Sequence, residues 1–527
     1  MCTCVHVRLM LVGELQIKKD TMANQSSLQL PHSLGRVCIL GGGNTGIHLV
    51  TYFAYLKRHM PHISWSYICV YAGKNKACAQ LLERAQGFCD VIDNTETVNQ
   101  SFDVCITSPG IPPRSTLYKT AAAHATAMLG EVEFVWRTQP RLWLGITGTN
   151  GKTTTTTLLN TMLHRAHIPS RAVGNIGLSC CEAACSRSDD EWFCAELSSF
   201  QLAETSNFHP VAAALLNITP DHIEWHGSME AYAAAKEQIF AQLTADNLAI
   251  ISRDDVYCRA IYERLCARGV PVLCVSTGAD PHTQQAAYVE NNIMHIRLHN
   301  RTYTLCDVRN TKLQGEHNIQ NMLTASALAL FAGADVQAIT DVLLQFSTLE
   351  HRLEFVARIG GVDFVNDSKA TNTDAAQHAL RVYDAGKIVV LLGGHDKQTD
   401  LAALAHDVVR KCSVAVCYGQ AGSRIAQALT YELSCANAEH PNTTCTIVCE
   451  PHLREAFDAA VLHAKPGDCV LLSPACSSFD EFANMEERGT FFKQCVRTYA
   501  ANQAAVQDSA QDSSVNTRER AFKPSNK

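Results

Sequence analysis

Leu142-Trp143-Leu144-Gly145-Ile146-Thr147-Gly148-Thr149-Asn150-Gly151-Lys152-Thr153-Thr154 is the stretch that decides the class of fold. An apolar run of strand character passes straight into a turn rich in glycine and threonine, and a helix-forming segment follows. That order reads as strand, phosphate-binding turn, helix. Backbone amides of Gly148, Thr149, Asn150 and Gly151, with the positive end of the helix, would hold phosphate groups. Lys152 would neutralise the outer phosphates, the Thr153 hydroxyl would reach Mg²⁺, and Thr154 continues the same turn. The spacing is not the common G-x-x-x-x-G-K, because Ile146 stands six positions before Lys152. A glycine-rich turn without nucleotide is the structural alternative.

Downstream, Glu196 ends the apolar run Phe193-Cys194-Ala195, and Asp221-His222 follow the run 211–216 through Asn217-Ile218-Thr219-Pro220. The carboxyl ends of strands are where open α/β sheets bind ligands. Glu196 suits Mg²⁺, which prefers oxygen. His222 taken alone reads as a hydrogen-bonded loop residue before it reads as a ligand. Residues 229–240 form a helix of good helix formers, in which Lys236 reads as a solvated lysine.

Upstream, the strand Arg36–Leu40 runs into Gly41-Gly42-Gly43-Asn44-Thr45-Gly46, a GxGxxG pattern that fits either a diphosphate cradle or a tight strand–helix turn. The next strand, Ser66–Val70, ends in Tyr71-Ala72-Gly73 without the acidic residue of a plain NAD site. Toward the carboxyl end, three polar loops each follow an apolar strand: Asn366–Asn372, Gly393–Lys397 and Ser473–Asp480. The first is equally a capped helix start, with Asp367 or Ser368 as N-cap, or a ligand loop. Three such loops in one small region favour a binding crevice.

The 527 residues suggest three or four domains at roughly 150 residues each. The net charge of -7 and pI of about 6.3 mark neither a nucleic-acid nor a membrane-surface binder. The 23 cysteines are scattered without C-x-x-C spacing and read as small buried groups in a reducing cytoplasm. The apolar patch His6–Leu15, broken by Arg8 and Glu14, lacks signal-peptide form, and no apolar run is long enough to span a membrane. Met22 is a second candidate start. The expected α/β organisation is an extension over 1–33, a Rossmann-like domain over 34–137, a central P-loop-type ATPase domain over 138–348, a Rossmann-like domain over 349–500, and a disordered or frayed tail over 501–527.

The motifs Ser108–Pro112, Gly148–Thr154, Gly174–Gly177, Glu196–Leu202, Asp221-His222, Gly315–Asn318, Glu350–Glu354, Asn366–Asn372 and Ser473–Gly489 occur in the order of one family. Over about Leu34–Tyr499 the chain resembles the Mur ligases, ATP-dependent enzymes that form amide bonds, and in particular their D-glutamate-adding members. The resemblance implies three domains that take a UDP-linked precursor, ATP and an amino acid. It implies precursor contacts at Gly43, Thr45, Gly46, Ser108 and Asn175, and ATP contacts at the phosphate turn, Asn318, Arg352 and Asp367. It implies D-glutamate contacts at Thr371, Lys397 and Ser478. Lys152, His222 and Lys236 would be catalytic. Thr153, Glu196, His222 and Lys236 would surround two Mg²⁺ ions, Lys236 as a carbamate. The implied activity is addition of D-glutamate to UDP-N-acetylmuramoyl-L-alanine in peptidoglycan precursor synthesis, by a cytoplasmic monomer without nucleic-acid partners.

Two departures stand out. Tyr71-Ala72 replace the acidic or hydroxyl residue that often reads uracil, and Met485 replaces an aromatic residue near the glutamate pocket. The competing functions are a sister or folylpolyglutamate-type ligase, a non-catalytic nucleotide-binding scaffold, and a generic P-loop ATPase.

Overall fold

Arg36–Leu40 (β1) is buried from Val37 onward, and it sits at the centre of a five-stranded sheet. Its companions are Tyr67–Gly73 (β2), Asp90–Asp93 (β3), Phe102–Thr107 (β4) and Ala125–Gly130 (β5), in the order β3-β2-β1-β4-β5. All four pairings are parallel. Strand order reverses between β1 and β4, and ligands bind at such a switch point. The computed structural model describes residues 30–520 apart from 75, 255, 314, 348–349 and 440–443. The extension assigned to 1–33 thus lies outside the described residues as far as 29, and the tail does so from 521.

The chain forms two compact units that divide between Phe346 and Ser347. The first unit adds a nine-stranded sheet to the one above. Its strands are Trp143–Thr147 (β6), Ser170–Gly174 (β7), Trp192–Glu196 (β8), Ala212–Leu215 (β9), Leu248–Ser252 (β10), Val272–Val275 (β11), Gln285–Glu290 (β12), Ile293–Leu298 (β13) and Arg301–Asp307 (β14). The order is β14-β13-β12-β11-β10-β9-β6-β8-β7. Strands β6–β12 pair in parallel, and β12–β14 are antiparallel. The near-continuous apolar character of β6, β8 and β9 follows from burial on both faces.

Helix Glu131–Thr138 packs the two sheets into one apolar cluster through Val132, Phe134, Val135 and Trp136. The stretch 139–142 that follows is tied down by Arg187, whose guanidinium donates to the carbonyls of Gln139, Arg141 and Leu142. Glu133 completes the junction. It is fully buried and accepts from the amides of Ser206, Asn207 and Phe208 as well as from Arg137.

The second unit holds Glu354–Ile359 (β15), Val362–Asn366 (β16), Ile388–Gly393 (β17), Cys412–Tyr418 (β18), Thr446–Glu450 (β19) and Cys469–Ala475 (β20). Their order is β15-β16-β20-β17-β18-β19, parallel except for the β15–β16 edge. Apolar clusters cover both faces. The last helix, Met485–Arg520, carries the backbone through most of the stretch read as a tail. Among the described residues the cysteines are free, and no helix is long and apolar enough to cross a membrane.

Removing the Glu133 carboxylate strands three backbone N–H groups and a guanidinium. Glu133→Ala is expected to lower stability by about 3 kcal/mol in chemical denaturation, and an unchanged midpoint would refute its anchoring role.

Candidate active site

Gly148 and Gly151 shape the turn after β6 with φ of +154° and +83°, and Gly151 caps helix Lys152–Arg165 from the left-handed region. A Cβ on Gly151 would lie 2.2 Å from Asn321 Oδ1, so only glycine fits. The loop after β9 fixes this turn from below. Asn217 accepts from the amide of Thr149 through its carbonyl and from that of Asn150 through Oδ1, each at 2.9 Å. The Thr149 hydroxyl lies 3.1 Å from the Thr219 carbonyl and 3.0 Å from Tyr232 Oη.

Two lysines converge on the turn. Lys152 Nζ donates to the carbonyls of Gly148 and Thr149, both at 2.9 Å. Lys236 Nζ donates to the same Gly148 carbonyl at 2.6 Å and is 1% exposed. The solvated lysine expected from helix propensity is therefore wrong. Ala233 and Ala235 beside it are also buried, and the thin alanine face lets the helix approach the turn. Burial first, and the positive charge of Lys152 second, hold the Lys236 amine well below its ordinary pKa. His226 nearby is pushed down to about 4, mainly by burial and then by Lys236, and its Nε2 sits 2.9 Å from Ser199 Oγ.

Glu196 ends β8 with 2% exposure. Asn175 Nδ2 donates to its Oε1 at 2.9 Å, and Oε2 is buried with no hydrogen-bond partner among the described residues. A buried carboxyl oxygen without a partner near the Gly148–Lys152 turn fits a hard cation such as Mg²⁺. His222 takes φ of +53° at the head of a short helix, with Nε2 3.5 Å from Asp221 Oδ2. Asn318 joins the same region, because its Oδ1 accepts from Asn321, which also meets Thr155.

The GxGxxG turn sits at the β1–β4 switch point. A Cβ on Gly41 would come within 2.7 Å of Ser108 Oγ, and one on Gly46 within 2.0 Å of the Gly41 carbonyl. Around Gly43 the space is open. The Ser108 hydroxyl is buried with no hydrogen-bond partner among the described residues. Tyr71 is buried and spends its hydroxyl on Asn99 Oδ1 at 3.2 Å.

In the second unit, β16, β20 and β17 are adjacent, so the three polar loops meet at one edge. Asp367 Oδ2 accepts from Ser473 at 2.8 Å, and the His395 amide donates to the Ser477 carbonyl at 2.8 Å. The helix after the first loop starts at Thr373 with Asn372 as its N-cap, which corrects the expectation of Asp367 or Ser368 in that role. Asp367 and Ser368 face inward instead. The fully buried Arg488 donates to Ser368 Oγ and its carbonyl, and to the carbonyls of Cys476 and Ser477. It draws together the loops that carry Thr371 and Ser478. No local pattern in the sequence marks Tyr232 or His226, and Arg488 lies within the Ser473–Gly489 motif without any sign that it is buried. Asn217 alone had a signal, a polar residue directly after an apolar strand.

A family model of the Mur ligase middle domain matches residues 146–329, and one of the Mur ligase glutamate ligase domain matches 351–476. A UDP-N-acetylmuramoylalanine–D-glutamate ligase of Acidobacterium capsulatum is 39% identical over 396 residues, 75% of this chain and 82% of that protein. The chain belongs to the Mur ligase family. The identically named ligase of Chlorobium chlorochromatii is 32% identical over 88% of this chain and 98% of its own length. Among solved structures, a pseudomurein peptide ligase type C of Methanothermus fervidus shares the fold of this Mur ligase, with a TM-score of 0.54 and 13% identity over 88% of this chain and 99% of that one.

Burial pushes the Asp367 carboxyl up to about 7, against the opposing hydrogen bonds from Ser473 and the Leu353 amide. The folded ligase then holds a proton that the unfolded chain, with an ordinary aspartate near 4, releases. Stability should therefore fall as pH rises from about 4 to about 7 and level off above. Asp367→Asn should flatten that slope in denaturation curves taken across the range, and an unaltered slope would rule Asp367 out as its source.

Proposed function

We propose that this Mur ligase joins the amine of D-glutamate to the alanyl carboxyl of UDP-N-acetylmuramoyl-L-alanine, converting ATP to ADP and phosphate in the cytoplasm. The observation that carries the chemistry is the convergence of Lys152 and Lys236 on the Gly148 carbonyl beside the half-free Glu196. D-Glutamate as the amino acid is supported by the names of the most similar relatives.

The alanyl carboxylate attacks the γ-phosphorus, ADP leaves, and an acyl phosphate forms. The D-glutamate amine then attacks the activated carbonyl, and phosphate departs with the original carboxyl oxygen. Lys152 and the amides of the turn stabilise charge on the phosphoryl oxygens. Thr153, Glu196, His222 and a carbamate on Lys236 would hold two Mg²⁺ ions, which supply further positive charge there. The carbamate forms when the neutral Lys236 amine adds to CO₂ and releases a proton, and burial beside Lys152 favours the neutral amine. Asn175 orients Glu196 by holding one carboxylate oxygen and leaving the other for the metal.

Gly43, Thr45, Gly46 and Ser108 hold the uridine diphosphate of the precursor, with Asn175 also contacting the precursor. The unpartnered Ser108 hydroxyl supports that assignment. Asn318, Arg352 and Asp367 take the nucleotide. Thr371, Lys397 and Ser478 take the two carboxylates of D-glutamate, a pairing suited to cationic and hydroxyl donors.

Phosphate release should require both the UDP precursor and D-glutamate, and should be absent with L-glutamate. No release with the complete mixture would overturn the proposal, and release with a different amino acid would point to a sister ligase. Lys152→Ala should cost about 10²–10³-fold or more in kcat. Lys236→Ala should lose activity and regain part of it with a short-chain carboxylic acid. The same low rate with and without the acid would exclude a carbamate.

A further inference from the structure

We infer that His48 is a positioning residue for the precursor, tying the helix that opens at the Gly43–Gly46 turn to the loop that carries Asn175. The inference rests on the ligase proposal for the identity of the ligand. It concerns a contact that neither the mechanism nor the apolar packing uses. Helix Asn44–His59 begins at the turn, and Thr45 and His48 lie three residues apart on one face. The buried face of the same helix is built from Ile47, Leu49, Val50, Tyr52, Phe53 and Leu56.

His48 Nδ1 lies 2.8 Å from Ser179 Oγ and 3.5 Å from Glu182 Oε2. The Ser179 hydroxyl oxygen also accepts from the Glu182 amide, which holds Ser179 in place as the cap of helix Cys180–Ala184. Within the loop before it, the Gly174 amide donates to the Leu178 carbonyl at 2.9 Å. Asn175 then gives its amide to the Glu196 carbonyl and its Nδ2 to Glu196 Oε1, both at 2.9 Å. Both ends of the Gly174–Ser179 loop are thus fixed, one by Glu196 and the other by His48 together with the buried helix after it, whose Cys181 amide donates to Glu131 Oε1 at 2.7 Å. The side chain of His48 is 27% exposed, so its bond to Ser179 is only partly open to competition from water.

A precursor that lays its diphosphate on Gly43–Gly46 and also contacts Asn175 touches both sides of this bridge. Its affinity depends on the two sides being held at a fixed separation before it arrives, because loops ordered only on binding lose affinity to the ordering cost. The apolar packing of the two helices sets that separation coarsely, and His48 fixes the polar end of it, at Ser179, without touching the ligand. Nucleotide binds at the turn after β6, which Asn217 and Asn321 secure, so ATP affinity does not pass through His48.

The test is calorimetry on the full chain, titrating UDP-N-acetylmuramoyl-L-alanine and, separately, ADP. The expected result is that His48→Ala weakens precursor binding about three- to tenfold, the range of one lost hydrogen bond, with ADP affinity and Tm unchanged. His48→Asn, whose amide reaches the place of Nδ1, should restore most of the loss. Combining His48→Ala with Ser179→Ala should cost no more than the weaker single variant. Wild-type precursor affinity in His48→Ala overturns the proposal. So does a proportionate loss of ADP affinity, or failure of His48→Asn to recover, since either marks a packing role. A wild-type chain that ignores the precursor is a distinct result and overturns the ligase proposal itself.

Discussion

The Gly148 carbonyl oxygen receives hydrogen bonds from two lysine side chains, Lys152 on the helix that follows it and Lys236 from a helix more than eighty residues away. Like charges that share one acceptor repel. Burial first, and then the repulsion from Lys152, disfavour the charged form of Lys236. The completely enclosed Lys236 is the one whose pKa is depressed. A lysine on a helix of ordinary helix formers is thereby held ready to shed its proton, and the proposed carbamate would draw on that.

That arrangement requires the turn to be rigid, and the fold provides the rigidity from neighbouring strands. The turn follows β6, which lies between β8 and β9. The ends of these flanking strands deliver Glu196 on one side and the Asn217–His222 loop on the other. Asn217 replaces the inter-strand hydrogen bonds that stop where the strands stop. Asn321 fills the space that a side chain at Gly151 would otherwise occupy. The same parallel-sheet rule operates in the other two sheets, where the Gly41–Gly46 and Ser108 loops meet at the β1–β4 reversal and three polar loops meet beyond β16, β20 and β17.

Buried and half-buried carboxylate and guanidinium groups do the joining where apolar contacts cannot specify geometry. Glu133 seats the chain after helix Ser199–Ala203, Arg187 holds the segment between the two sheets of the first unit, and Arg488 draws together two loops of the second. Each is paired with several partners, the condition under which a charge can be enclosed without a large penalty.

The sequence by itself determined the α/β class, because apolar strands that end in glycine, threonine and asparagine have few other solutions. It determined the glycine-rich turn between a strand and a helix at Gly148–Lys152, the positions of Glu196 and Asp221-His222 after strands, the three carboxyl-terminal loops and, through motif order, the family. These are local properties, carried by residues adjacent in the chain. Only the tertiary structure decided that Lys236 is buried, that Asn175 grips Glu196, that Asn372 and not Asp367 starts its helix, and that Arg488 and His48 bridge separate loops. Each of those outcomes depends on which distant backbone comes to lie against a side chain, and solvent exposure and pKa are set by that packing rather than by helix propensity or spacing.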